Sequence, residues 1–228
     1  MKNIITIFLF LPIIVFSQSN FEKAEKLFAE KKCDQAQVIF ESLYKSNPSD
    51  LRVIEYLGDI AGFEESWDKA ILYYKKLKIA KPNEANYYFK YGGALGMKAT
   101  QVNKFKALGM VGEVRSSFEK AIQLDPKHIP ARWALIELNL KLPGIVGGSQ
   151  PKAIQYSNEL LKLSPVDGYL SRGHIEEYFD KYANAEKQYL KAYEIGHSKM
   201  TFQKLYDLYL NKLKDSSKAK KLKEQFEK

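Results

Sequence analysis

Apolar positions along this chain recur with a helical spacing and, over a longer range, with a period near thirty-four residues. The triplets Ala36–Phe40–Leu43, Ala70–Tyr74–Leu77, Val114–Phe118–Ala121, Ala153–Ser157–Leu160 and Ala185–Tyr189–Ala192 each stand at i, i+4 and i+7. That spacing places all three members on one face of a helix. A proline follows the first four triplets at a fixed distance (Pro48, Pro82, Pro126, Pro165), and His197 holds the fifth slot. Successive prolines are 34, 44 and 39 residues apart. A small residue at the first position lets another helix approach, and the aromatic fills the space between repeats. The proline ends the helix, because the residue before it is pushed out of the α region. Upstream, Leu57-Gly58 and Tyr91-Gly92 mark a preceding helix, where glycine permits two helices of one hairpin to touch.

A bulky residue and glycine early in a first helix, then alanine, an aromatic, alanine or leucine and proline, resembles the tetratricopeptide repeat (TPR) family. Leu57, Gly58, Trp67, Ala70, Tyr74, Leu77 and Pro82 carry the fullest match; Ala24, Leu27, Ala36, Phe40 and Pro48 carry the first copy. The fifth copy departs, with Arg172 and Glu176 where apolar or aromatic residues are usual. The resemblance implies an all-α, right-handed superhelical solenoid of helix–turn–helix hairpins, about five repeats plus a C-terminal capping helix pair. The expected divisions are repeats at 18–48, 51–84, 85–126, 128–165 and 166–197, then a cap at 198–228. The cap needs a polar outer face because no further repeat covers it.

Two intervals exceed the period. Thr100 to Lys106, followed by Gly109 and Gly112, fills the longer excess and reads as a lengthened first helix with a loop, or as a projecting binding loop. The shorter is Leu142-Pro143-Gly144-Ile145-Val146-Gly147-Gly148-Ser149. It lacks the Gly-Lys-Ser/Thr ending of a phosphate loop and follows a helix rather than a strand. Ser149 reads as an N-cap, with Pro151 in the first turn behind it.

The chain opens Met1-Lys2-Asn3 and runs without charge from Ile4 to Phe16. Thirteen helical residues span ~20 Å, short of a ~30 Å hydrocarbon core. With the polar Ser17-Gln18-Ser19-Asn20 behind it, the stretch reads as a secretory signal peptide over residues 1–17, cleaved after Ser17. The mature protein is then expected to be periplasmic or secreted. In that setting the single cysteine, Cys33, reads as a small buried hydrophobe at a helix-packing position.

With 28% charged and 13% aromatic residues the chain is neither disordered nor polytopic. One cysteine and three separated histidines exclude an internal disulfide framework and disfavour structural zinc. His174 and Glu177 share a helix face, yet nothing assembles a nucleophile, base and oxyanion donor. A non-catalytic protein without cofactor or metal is expected. The net charge of +9 concentrates toward the end: Asn211 to Lys228 holds seven lysines and three acids. Nucleic-acid binding would call for arginine and exposed aromatics and is not expected; contact with an anionic membrane or wall polymer is the alternative.

The resemblance also implies a concave groove lined by the first helices, holding a protein or peptide partner. Its positions fall on Glu25, Glu55, Asp59, Asn86, Phe89, Lys90, Ala131, Ala134, Leu138, His174 and Glu177. Family members that clamp acidic C-termini use Lys, Asn and Arg there. Glu25, Glu55 and Asp59 would repel such a peptide and favour one with a basic end and apolar anchors.

Overall fold

The structure is a computed structural model that describes residues 19–227; the signal-peptide reading of residues 1–17 lies outside the described residues. No strand occurs among the described residues. Helix α1 covers residues 19–29, followed by α2 (Cys33–Ser46), α3 (Leu51–Phe63), α4 (Trp67–Ala80), α5 (Ala85–Gln101) and α6 (Lys104–Leu124). Then come α7 (Ile129–Lys141), α8 (Gln150–Leu163), α9 (Pro165–Tyr178), α10 (Tyr182–Gly196), α11 (Lys199–Asp207) and α12 (Ser216–Phe226). The described residues form two compact units, divided between Ser117 and Phe118.

In both units the recurring triplets form the core. Ala36, Phe40, Ala70, Leu77, Ala121, Ala153, Leu160, Ala185, Tyr189 and Ala192 are wholly buried, and Val114, Phe118 and Ser157 nearly so. In the N-terminal unit α2 packs on α3, α3 on α4 and α4 on α5; in the C-terminal unit α7 packs on α8, α8 on α9, α9 on α10 and α10 on α11. Burying one apolar face per helix against sequence neighbours is what a repeat array requires. The fifth hairpin closes despite Arg172 and Glu176, because Gly173 lies against the Tyr189 ring as Gly58 lies against Tyr74. Arg172 turns aside and donates to Asn158 Oδ1 at 2.6 Å.

Three hairpins turn by one device and a fourth, at Lys214, by a wider form of it in which Asp215 N–H reaches Tyr209 O at 2.9 Å. Lys31, Glu65, Asp180 and Lys214 have φ of 61°, 55°, 56° and 55°, the left-handed region. The next amide closes back over the helix end: Lys32 N–H to Leu27 O at 2.9 Å, Ser66 N–H to Ala61 O at 2.8 Å, Lys181 N–H to Glu176 O at 2.9 Å. This is a Schellman closure made without its usual glycine. Lys31 and Glu65 are one period apart, as are Asp180 and Lys214.

The two long intervals use other turns. Only Val102 and Asn103 separate α5 from α6, so the longer excess extends both helices and does not form a projecting loop. In the shorter, Gly144–Val146 is a 3-10 turn, and Gly147 has φ 95°. A Cβ on Gly148 would overlap the Leu142 carbonyl, so the glycines there serve backbone geometry. Ser149 caps α8 by accepting from Lys152 N–H at 3.3 Å, with Pro151 in the first turn.

Cys33 differs from expectation. It occupies the first position of α2 and is half-exposed; the packing site belongs to Ala36, one turn on. At the other end α11 runs into a π-helical segment, Leu208–Lys212. Ala219 and Leu222 seat α12 on the core, leaving its lysines outward.

Candidate binding groove

In the N-terminal unit the facing sides of α1 and α3 form a groove lined by Phe21, Glu25, Phe28, Arg52, Glu55, Tyr56 and Asp59. Its floor is aromatic: Tyr56 stacks on Phe40 at 4.7 Å and meets Phe21 and Phe28 edge-on at 5.8 and 5.2 Å. Phe28 reaches the exposed Phe63 at 5.6 Å, extending the aromatic surface toward the hairpin tips. Its rim is acidic, set by Glu25, Glu55 and Asp59 one helical turn or one repeat apart.

The rim carboxylates are matched in a ladder between successive first helices. Tyr56 Oη–H donates to Glu25 Oε1 at 2.9 Å. One repeat on, the Lys90 ammonium donates to both Asp59 oxygens at 2.8 Å and to Glu55 Oε1 at 2.7 Å. Tyr74 Oη–H adds a bond to Asp59 Oδ1 at 2.8 Å. Burial, reinforced by Glu25, pushes the Tyr56 phenol up to about 12; burial and Glu55 do the same to Tyr87. These phenols stay protonated donors at any physiological pH. The acidic character expected at this end is therefore partly neutralised from within by Lys90.

Asn86 is exposed in the first turn of α5, and Phe89 is half-buried beside it. In the C-terminal unit Leu138 is half-buried on α7, whereas Ala131 is wholly buried and lines no surface. His174 and Glu177 do not act together there. The His174 imidazole Nε2 lies 2.5 Å from Glu137 Oε1, while Glu177 accepts from Tyr189 Oη–H at 2.8 Å. The His174 contact holds Glu137 down to about 2, against the opposing effect of burial and with help from Lys141. Trp133 Nε1–H donates to Asp167 Oδ1 at 2.9 Å, a further link between α7 and α9. Sequence reasoning missed Glu137, Trp133 and Tyr56. Their signal was a complementary group about one period away, which a search within single repeats does not see.

Among the described residues no group of three or more His, Cys, Asp or Glu side chains is placed to hold a metal ion. None of the described helices is long and apolar enough to cross a membrane.

Paired antiparallel helices stacked through alanine, aromatic and leucine positions define a helical-hairpin repeat protein. Comparison with solved structures makes the class specific: the chain has the tetratricopeptide-repeat fold. It is similar to a thermophilic TPR protein of Thermus thermophilus (TM-score 0.66, 18% identity, 87% of this chain and 97% of that one). It is likewise similar to PilW, a widely conserved type IV pilus biogenesis factor (TM-score 0.67, 17% identity, 92% and 91% covered). A third is YrrB, a TPR protein with an unusual peptide-binding site (TM-score 0.53, 15% identity, 80% and 87% covered). No family model and no curated protein matches the chain.

Proposed function

We propose that this protein is a non-catalytic, exported interaction scaffold whose groove between α1 and α3 holds a partner segment with apolar anchors and basic side chains. The observation that carries the reading is an aromatic floor (Phe21, Phe28, Tyr56) under a carboxylate rim in one groove. Apolar anchors supply most of the affinity in such grooves, while rim charges select the partner. That YrrB is a TPR protein with a peptide-binding site supports the same use of this fold.

Isothermal titration with two sets of synthetic peptides tests it, both carrying leucine or phenylalanine anchors, one flanked by lysine and arginine, the other by glutamate. The basic set should bind, and Phe28→Ala should weaken it about tenfold, the loss of one aromatic anchor. Equal binding of both sets, or indifference to Phe28→Ala and Glu25→Gln together, removes the groove from the function.

The second reading is an accessory factor of an envelope process (assembly, secretion or wall maintenance), docking to an anionic surface through the basic C-terminal face. Its support is the outward row of lysines on α12. Against it, Lys218 pairs with Glu186 at 2.6 Å, Lys220 with Glu224 at 4.0 Å and Lys223 with Glu227 at 3.7 Å. Part of that charge is thus matched locally, whereas the groove joins an aromatic floor to a charged rim, so the groove is the better supported site.

A further inference from the structure

The α5–α6 hairpin is longer than its neighbour in the N-terminal unit, and its extra length is dressed unusually. Lys98 pairs with Asp68 and Gln101 donates to Glu65, so the C-terminal end of α5 stands level with the α3–α4 turn. Val102 and Asn103 make the turn, and α6 then runs back alongside α5, with Tyr91 Oη–H donating to Glu113 Oε1 at 2.6 Å. In the first two turns of α6, Phe105, Leu108, Gly109 and Gly112 stand at i, i+3, i+4 and i+7, one face of the helix, and all four are exposed. Phe105 is 88% exposed, Leu108 46% and Met97, across the turn, 46%. A Cβ on Gly109 or Gly112 would meet nothing within 4 Å, so no intramolecular contact accounts for either glycine. The outward face is thus apolar as well as the inward one, where Val111 is half-buried and Val114 buried, so this part of the helix lacks the polar outer face usual for a surface helix. Lys104 and Lys106 flank Phe105. Between Glu84 and Glu113 the sequence has no carboxylate side chain and four lysines.

We propose that the tip of the α5–α6 hairpin inserts into the headgroup region of an anionic phospholipid bilayer, with Phe105 and Leu108 as apolar wedge and Lys104 and Lys106 contacting lipid phosphates. From Phe105 to Gly112 the apolar face runs about 10 Å along the helix, and a helix face of this kind buries ~5–10 Å deep at the boundary of headgroups and acyl chains. Basic residues next to an inserted aromatic gain from the negative surface potential, within a Debye length of the phosphates. Charge selects this occupant over a second copy of the chain: two tips meeting would bring four flanking lysines together with no carboxylate between Glu84 and Glu113 to offset them. The tip shares no residue with the α1–α3 groove or with α12, so it stands or falls independently of both readings above.

The test places a reporter at the tip of the full chain, so that binding through any other segment gives no signal. Phe105→Trp is compared with the parent chain, which subtracts Trp67 and Trp133, on vesicles of phosphatidylglycerol with phosphatidylcholine and on phosphatidylcholine alone. Expected are a blue shift of the introduced indole and its quenching by brominated acyl chains on the anionic vesicles. Adding Lys104→Glu and Lys106→Glu should weaken that response about tenfold or more, from roughly 1 kcal/mol per lysine near the surface, with the helical circular dichroism unchanged. The proposal is overturned if the indole stays in a watery environment while the chain co-sediments with vesicles, or if the chain does not bind them. It is overturned equally if the shift appears without lipid together with a dimer mass by light scattering, which would assign the tip to a second copy.

Discussion

Gly168 of α9 lies directly against the backbone of Leu161 of α8: a Cβ at Gly168 would stand 2.6 Å from Leu161 Cβ and 2.7 Å from its amide nitrogen. Backbone cannot rotate away as a side chain can. Gly168→Ala is expected to cost about 3 kcal/mol or more through overpacking and helix separation. Gly58→Ala meets instead the Tyr74 ring, at 2.6 Å. Thermal or urea unfolding of the two variants should rank Gly168→Ala as the more damaging. The reverse order would mean that α8 and α9 separate more easily than the Tyr74 ring moves.

The left-handed turns give a prediction of opposite sign. A residue with a Cβ pays roughly 1–2 kcal/mol for that backbone region, which glycine avoids. Lys31→Gly should therefore raise stability by about 0.5–1 kcal/mol after the added freedom of the unfolded chain is discounted. Glu65 and Asp180 share the turn but accept side-chain hydrogen bonds from Gln101 and Tyr182. Glycine there should gain less, and a urea midpoint for each variant checks the ordering.

Lys90 bridges two carboxylates that are about three-quarters buried, with side-chain exposures of 29% for Glu55 and 24% for Asp59. Replacing it by methionine leaves both anions facing each other across the groove rim. A loss of about 1–2 kcal/mol is expected, solvent still reaching all three groups. The same variant should bind the basic peptides several-fold more tightly, because a competing internal cation is gone. Calorimetry on Lys90→Met separates the two effects, one read in the melting transition and the other in peptide titration.

Acid should act in two steps. His128 caps α7 by accepting the Ala131 amide at 3.1 Å on Nδ1, which requires the neutral ring at that nitrogen. Burial, with Arg132 nearby, lowers its pKa despite the opposing pull of Asp125. The unfolded chain then takes up the proton first, so this stabilisation is complete above about pH 6.5 and fades as pH falls below it. Glu137, held at about 2, contributes fully above its unfolded value near 4.5 and loses that contribution on further acidification. His128→Asn preserves a side-chain cap without a titrating ring and should flatten the first step while leaving the second. A first step that survives this substitution would assign it to another group.

The contrast between core and groove shows what a single sequence makes visible. Ala70, Tyr74 and Leu77 could be read from spacing alone because each repeats the demand of the same helix face, and burial rewards composition at every copy. The hairpin turns were invisible, since Lys31, Glu65, Asp180 and Lys214 share a conformation and no side-chain chemistry. The charge of the groove was misjudged because Glu55, Asp59 and Lys90 were assigned to separate copies, whereas the fold sets Lys90 on both carboxylates. The long hairpin stays open between a lengthened helix and a projecting loop for a related reason. Nothing local distinguishes ten residues looped out from ten residues that lengthen two helices.

The ladder along the first helices carries an implication for how such a chain can grow. Tyr56 donates backward to Glu25, and Asp59 on the same helix accepts forward from Lys90, the two bonds spanning the same sequence offset. Helix α3 is thus a donor to its predecessor and an acceptor for its successor. A tandem copy of α3 and α4 would set a second tyrosine at the register of Lys90, able to donate to the first Asp59, and would hand a fresh acceptor pair to Lys90. The single phenolic O–H would serve Asp59 alone and leave the first Glu55 without the cation that Lys90 now gives it, so duplication within this part of the gene would carry an electrostatic penalty of the kind expected for Lys90→Met.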